Sequence, residues 1–110
     1  MDETVCEKLE ELAMVIIANS GAARSGAFEA LNEARNGKYE SAEAFMKNAE
    51  ESMQKAHEAH RVLLQMDASG QVTQTGILLC HAQDHLMGSA LAKDLISEMI
   101  LMYREMRQGG

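Results

Sequence analysis

Two imidazoles and a carboxylate fall within five residues, His81, Asp84 and His85, in the run Cys80-His81-Ala82-Gln83-Asp84-His85-Leu86-Met87-Gly88. At about 100° per residue on a helix, His85 lies roughly 40° from His81, and Asp84 roughly 60° away on the other side. All three share one face. Zinc is the first chemistry to test, because histidines four apart on a helix can hold it. The hydrolase version places Glu second, where this chain has Ala82, and the inverted version places Glu fourth, where this chain has the shorter Asp84. A di-iron bundle needs Glu three residues before its His, yet the residues three before His57, His60, His81 and His85 are Gln54, His57, Leu78 and Ala82. Thiol catalysis is disfavoured too: Cys80 lies about 100° round from His81, towards an apolar seam, which predicts a buried structural cysteine. Phosphoryl transfer fits better. A neutral imidazole is a competent nucleophile near pH 7, and moving a phosphoryl group between proteins needs positioning and charge stabilisation more than a nucleotide site. Neither a P-loop nor a Gly-rich phosphate cradle is present. Gly88 and Ala92, on the face of His81 about two and three turns on, leave room for a docking partner. The spacing permits this chemistry without selecting it.

The elements that carry these residues read as helices. The chain has 110 residues, no proline and only 4% aromatics, so it is expected to be one all-α domain spanning 1–110. Val5, Leu9, Leu12 and Ile16 have helical spacing, followed by a small-residue stripe of Ala23, Ala27, Ala30, Leu31 and Ala34. Ser20-Gly21 predicts a break, giving one broken helix or two short collinear ones, and Asn36-Gly37 a stop. The second helix is predicted over Lys38–Met66, with Ala42, Phe45, Ala49, Met53, Ala56, His60 and Leu63 as its stripe. The third is predicted to start within Val72–Thr75 and to run to about Arg107, with Ile77, Cys80, Asp84, Met87, Leu91, Leu95, Met99 (or Glu98) and Met102 as its stripe. His57, His60 and His85 taken singly read as surface or core-edge positions.

Charge and cysteine usage narrow the partners. Seventeen acids against ten bases give a net charge of −7, which repels phosphate backbones and anionic lipid. Nucleic acid and direct membrane insertion are therefore not expected. The start, Met1-Asp2-Glu3-Thr4, is acidic where a secretory leader is basic, and Cys6 and Cys80 form no CxxC. A reduced, cytoplasmic protein with free thiols is expected. Three long rods in so short a chain make a thin bundle with little private core. The third helix carries apolar residues round most of its girth, so it is expected to face copies of itself in a homo-oligomer. Asp84, in the middle of that stripe, is costly unless paired, protonated or metal-bound. A cation shared by copies of Asp84 on a symmetry axis answers both observations.

The run His81-Ala82-Gln83-Asp84-His85-Leu86-Met87 resembles the signature of the enzyme IIA components of the lactose/cellobiose/N,N'-diacetylchitobiose class of bacterial sugar phosphotransferase systems. Asn19-Ser20-Gly21-Ala22-Ala23-Arg24-Ser25, Glu29-Ala30-Leu31, Glu58-Ala59-His60 and Leu91-Ala92-Lys93-Asp94-Leu95-Ile96 carry the same resemblance. It implies an antiparallel three-helix protomer, spectrin-repeat-like, assembling into a trimeric nine-helix bundle. It also implies that His81 accepts a phosphoryl group from the histidine phosphocarrier protein, as a tele-phosphohistidine. The group would pass to a cysteine of the cognate enzyme IIB, for phosphorylation of a β-linked disaccharide during transport. Asp84 would hold one divalent cation, Mg2+, per trimer, and His85 would be an auxiliary near the phosphoryl group. The pattern is departed from after His60, where Leu63 and Leu64 replace a polar Gln-Thr pair. Two other readings remain. A histidine phosphotransfer module of two-component signalling resembles His-x-x-Lys-Gly, against Asp84 and His85 here. A non-catalytic oligomerisation or metal-binding module is the other. The sugar itself is not legible.

Overall fold

The Ser20-Gly21 weak point does not interrupt its helix. The computed structural model describes residues 1–109, and its first element, α1, is a single helix over Glu3–Arg35. Gly21 costs a helix about 1 kcal/mol relative to Ala, but Ile16, Ser20 and Ala23 around it are all completely buried. Packing on both sides of the glycine outweighs its propensity. Asp2 caps the start, its carboxylate accepting from the Thr4 N–H at 2.9 Å.

Helix α2 spans Tyr39–Ala68, close to the expected bounds, and α3 spans Ile77–Gly109. α3 begins later than predicted. Residues 71–76 are not helical, and Val72 packs against the core from this extended connection. Both earlier helices end alike. Gly37 and Gly70 adopt φ of +79° and +83°. The N–H groups of Gly37 and Lys38 donate to the carbonyls of Ala34 and Glu33, and those of Gly70 and Gln71 to Asp67 and Met66. The last carbonyls of each helix are thereby satisfied by a left-handed glycine.

α1 is the central rod: α2 and α3 both pack along it, while touching each other over a much smaller area. The core is made of short side chains. Half of its buried apolar positions are alanine, among them Ala13, Ala23, Ala27, Ala30, Ala42, Ala49 and Ala56, so the helix axes can approach closely. Gly26 marks the tightest point, where an added Cβ would lie 3.4 Å from the Ala49 Cβ. The result is a rod of 60 × 19 × 17 Å with a radius of gyration of 17.1 Å, where a compact chain of this length has about 13 Å. Its surface is 6969 Å2, against about 6,000 Å2 for a compact monomer of this mass.

The inward face of α3 is Leu79, Ala82, Leu86, Ser89, Ile96 and Ile100, all buried. The stripe read from the sequence is a different one. Cys80, Asp84, Met87, Leu91, Leu95, Met99 and Met102 point out of the protomer, with Ile77 at their head. The helix therefore has two apolar faces, and the protomer covers one.

Polar contacts tie α3 to its neighbours along their length. Lys93 donates to Glu50 on α2 at 2.7 Å and lies 3.3 Å from Asp94. Burial pulls the Lys93 ammonium down, but the two carboxylates more than offset it and raise it above the ordinary value of 10.5. Arg104 pairs with Glu43 at 2.9 Å and lies over the Tyr39 ring at 5.1 Å. At the far end, Arg107 Nη2 donates to the Arg35 carbonyl at 2.8 Å, closing α3 onto the α1–α2 turn.

Two outcomes are expected. Gly37→Ala forces a β-carbon into the left-handed region and to within 2.8 Å of Arg107 Nη1. It should lower unfolding free energy in urea by about 1–2 kcal/mol; an unchanged midpoint would show that the turn rearranges freely. Glu50→Gln removes the main partner of Lys93. Because the Lys93 value is raised on folding, the pair's stabilisation is full below the ordinary lysine value and fades as pH climbs through the folded one. The stability gap between wild type and Glu50→Gln should therefore be constant from neutral pH upwards and shrink beyond pH 10.5.

Candidate functional site

Burial of Leu79, Ala82 and Leu86 fixes the rotation of the first turns of α3. With those three inward, His81 and Asp84 emerge on the surface and His85 is left on the flank, half-buried. The His81 and His85 rings meet edge to face, with centroids 4.5 Å apart and planes at 75°. His85 Nδ1 is sealed from solvent and has no hydrogen-bond partner, which leaves its Nε2 as the nitrogen free for other work. Beside this pair the surface is open, since a Cβ added at Gly88 would meet nothing within 4 Å. The arrangement presents one accessible imidazole braced by a second, on a rigid helix, with room for a large partner. That suits nucleophilic transfer between macromolecules.

Asp84 separates from the two histidines. It is exposed, makes no ion pair among the described residues, and lies in line with Met87 and Leu91, which are 72% and 61% exposed. The carboxylate expected in an apolar stripe is there, but the stripe is an uncovered outer face. Cys80 shares that face and is exposed, so the expectation of a buried structural cysteine is corrected: Leu79, its neighbour, takes the inward position. No group of three His, Cys, Asp or Glu converges among the described residues.

The remaining histidines lie on α2. His57 is exposed, and His60 is half-buried with Nε2 sealed and unpartnered. Leu63 is a core residue and Leu64 is 53% exposed. Both line a small cleft with Asp67, Val72, Thr75, Leu79 and Gln83, so the side chains that depart from the resembled pattern are apolar walls beside the signature glutamine. A larger open cleft of about 610 Å3, between the start of α1 and residues 74–79, brings Cys6, Leu9 and Glu10 against Gln74, Leu78 and Leu79. Sequence reading missed it, because it exists only when the connection before α3 is extended rather than helical.

Comparison with known proteins gives a consistent result. The family described as "PTS system, Lactose/Cellobiose specific IIA subunit" matches residues 11–104. The chain is similar to the N,N'-diacetylchitobiose-specific EIIA component of Escherichia coli strain K12, with 39% identity over 105 residues, 96% of this chain and 90% of that one. It is 36% identical over 102 residues to the lichenan-specific phosphotransferase enzyme IIA component of Bacillus subtilis strain 168, covering 93% of each. Among solved structures, the cellobiose-specific enzyme IIA of Bacillus anthracis superposes with a TM-score of 0.89 at 38% identity, over 100% of this chain and 96% of that one. The Escherichia coli IIA(chitobiose)–HPr complex gives 0.78 at 38% identity, over 90% and 96%.

Proposed function

The chain belongs to the lactose/cellobiose-specific IIA subunits of the sugar phosphotransferase system, and from that premise we propose that His81 is the side chain on which it carries the phosphoryl group. The observation that carries the assignment is the exposed His81 ring held edge-on by half-buried His85 at 4.5 Å. A solved relative in complex with HPr supports HPr as the donor, a cytoplasmic partner. Family membership also sets aside a two-component signalling module.

The transfer runs as two displacements. The lone pair of His81 Nε2 attacks the phosphorus of phospho-HPr; the N–P bond to the donor imidazole breaks as the new one forms, leaving a tele-phosphohistidine. A thiolate on the cognate enzyme IIB then attacks the same phosphorus, and the bond to His81 breaks. Each step exchanges one P–N or P–S bond for another, so positioning and charge placement do most of the work. His85, whose Nδ1 is sealed, has Nε2 to offer as a hydrogen-bond donor to a phosphoryl oxygen. The sugar is a β-linked disaccharide or related β-glycoside, in keeping with the relatives' names.

The uncovered face of α3 supports a homotrimer in which three α3 helices meet at a common axis, a nine-helix bundle. Asp84 would then form a ring of three carboxylates. Hard oxygen donors suit a divalent cation such as Mg2+, which when bound would neutralise charge that is otherwise buried and repulsive. The residues fit such an ion only as a shared set.

Incubation with phosphoenolpyruvate, enzyme I and HPr should label the wild type with acid-labile, base-stable phosphate. His81→Ala should take up none, and His85→Ala should still be labelled; label persisting in His81→Ala would refute the assignment. Asp84→Leu should sediment as a trimer with or without chelator, whereas chelator should lower the wild-type thermal midpoint by removing a ligand of the folded state. Monomeric Asp84→Leu would count against the shared cation.

A further inference from the structure

We infer that Ser89 is a positioning residue for His85: its hydroxyl donates to His85 Nδ1 and keeps the ring's proton on Nε2. The inference rests on the auxiliary role of His85 proposed above. His81, His85 and Ser89 follow one another at intervals of four residues, a single row on α3 that turns about 40° at each step. The row runs from solvent into the core. His81 is exposed, His85 is half-buried and Ser89 is 1% exposed.

Two atoms of this row are sealed from solvent with no hydrogen-bond partner, His85 Nδ1 and Ser89 Oγ. A helical serine can satisfy itself on the carbonyl one turn back, and Ser89 does not. β-Carbons four residues apart on a helix lie about 5–6 Å from each other, a gap that one hydroxyl and one imidazole nitrogen can span. A bond between the two satisfies both, and buried polar groups left unmet are costly. The hydroxyl has to be the donor. With Nδ1 accepting, the proton of the neutral ring stays on Nε2, the nitrogen left to donate to a phosphoryl oxygen. The reverse bond would turn the Nε2 lone pair against that oxygen's negative charge. No proton changes hands, and Ser89 acts without touching the phosphoryl group. The hydroxyl of Ser20 on α1, also buried and unpartnered, is the rival partner.

Nitrogen-15 spectra of the histidine side chains, taken where the rings are neutral, read this bond directly. Wild-type His85 should show a bare, hydrogen-bonded Nδ1 and a protonated Nε2. The Nδ1 resonance should move in Ser89→Ala and stay in place in Ser20→Ala. Single-turnover transfer from phospho-HPr should slow about fivefold in Ser89→Ala, the worth of one ordinary hydrogen bond. Ser89→Thr, which keeps the hydroxyl, should recover the rate; should the added methyl prevent folding, Ser89→Cys, a weaker donor, should recover part of it. On a His85→Ala background, Ser89→Ala should slow transfer no further. A protonated Nδ1 in the wild type, or a resonance that moves in Ser20→Ala and not in Ser89→Ala, overturns the bond and leaves His81 and His85 standing. His85→Ala as fast as the wild type overturns the role of His85 and with it that of Ser89.

Discussion

A helix with two apolar faces constrains everything else in this molecule. α3 must bury Leu79, Ala82, Leu86, Ile96 and Ile100 against α1 and α2, and it also presents Met87, Leu91, Leu95 and Met102 on its opposite side. At 3.6 residues per turn these two sets leave only narrow flanks between them. A side chain that must stay accessible while sitting on a rigid support has to occupy a flank, and His81 and His85 do. Their positions follow from the rotation that the inner face imposes.

The cluster of ionisable groups divides along the same line. His85 leans inward, far enough for one nitrogen to lose contact with water. His81 leans out. Asp84 belongs to the outer apolar line, where its charge has no partner among the described residues. Charges elsewhere have a plainer role: Lys93 with Glu50, and Arg104 with Glu43, join α3 to α2 where the apolar contact between those two helices is slight. Exposed pairs of this kind contribute little free energy. They set register between helices whose shared surface is too small to set it.

Much of this was legible from residue order, and the failures have identifiable causes. Helix number, the Gly37 stop and most of the α2 stripe follow from periodicity and turn chemistry, and the family from a seven-residue signature. The inner and outer faces of α3 could not be told apart, because a helix apolar all round has no polar side to orient it. The slip at Cys80 has that origin: one position of rotation separates it from Leu79. The supposed break at Gly21 failed for another reason. Propensity is local, and the burial of Ile16, Ser20 and Ala23 that overrides it depends on helices encountered later in the chain. The start of α3 slipped because Val72 has the apolarity of a first helical turn but spends it on the core from an extended connection.

The two ends of the rod are built unlike each other. At one, residues 36–38 make the shortest passage between α1 and α2, and Arg107 reaches across to the Arg35 carbonyl. At the other, residues 69–76 cross from α2 to α3 as a longer span beside an open cleft. The longer connection is thus at the end that carries His81. The rod is closed by a short turn and a clamp at the end remote from His81, and by a long open span at the end beside it.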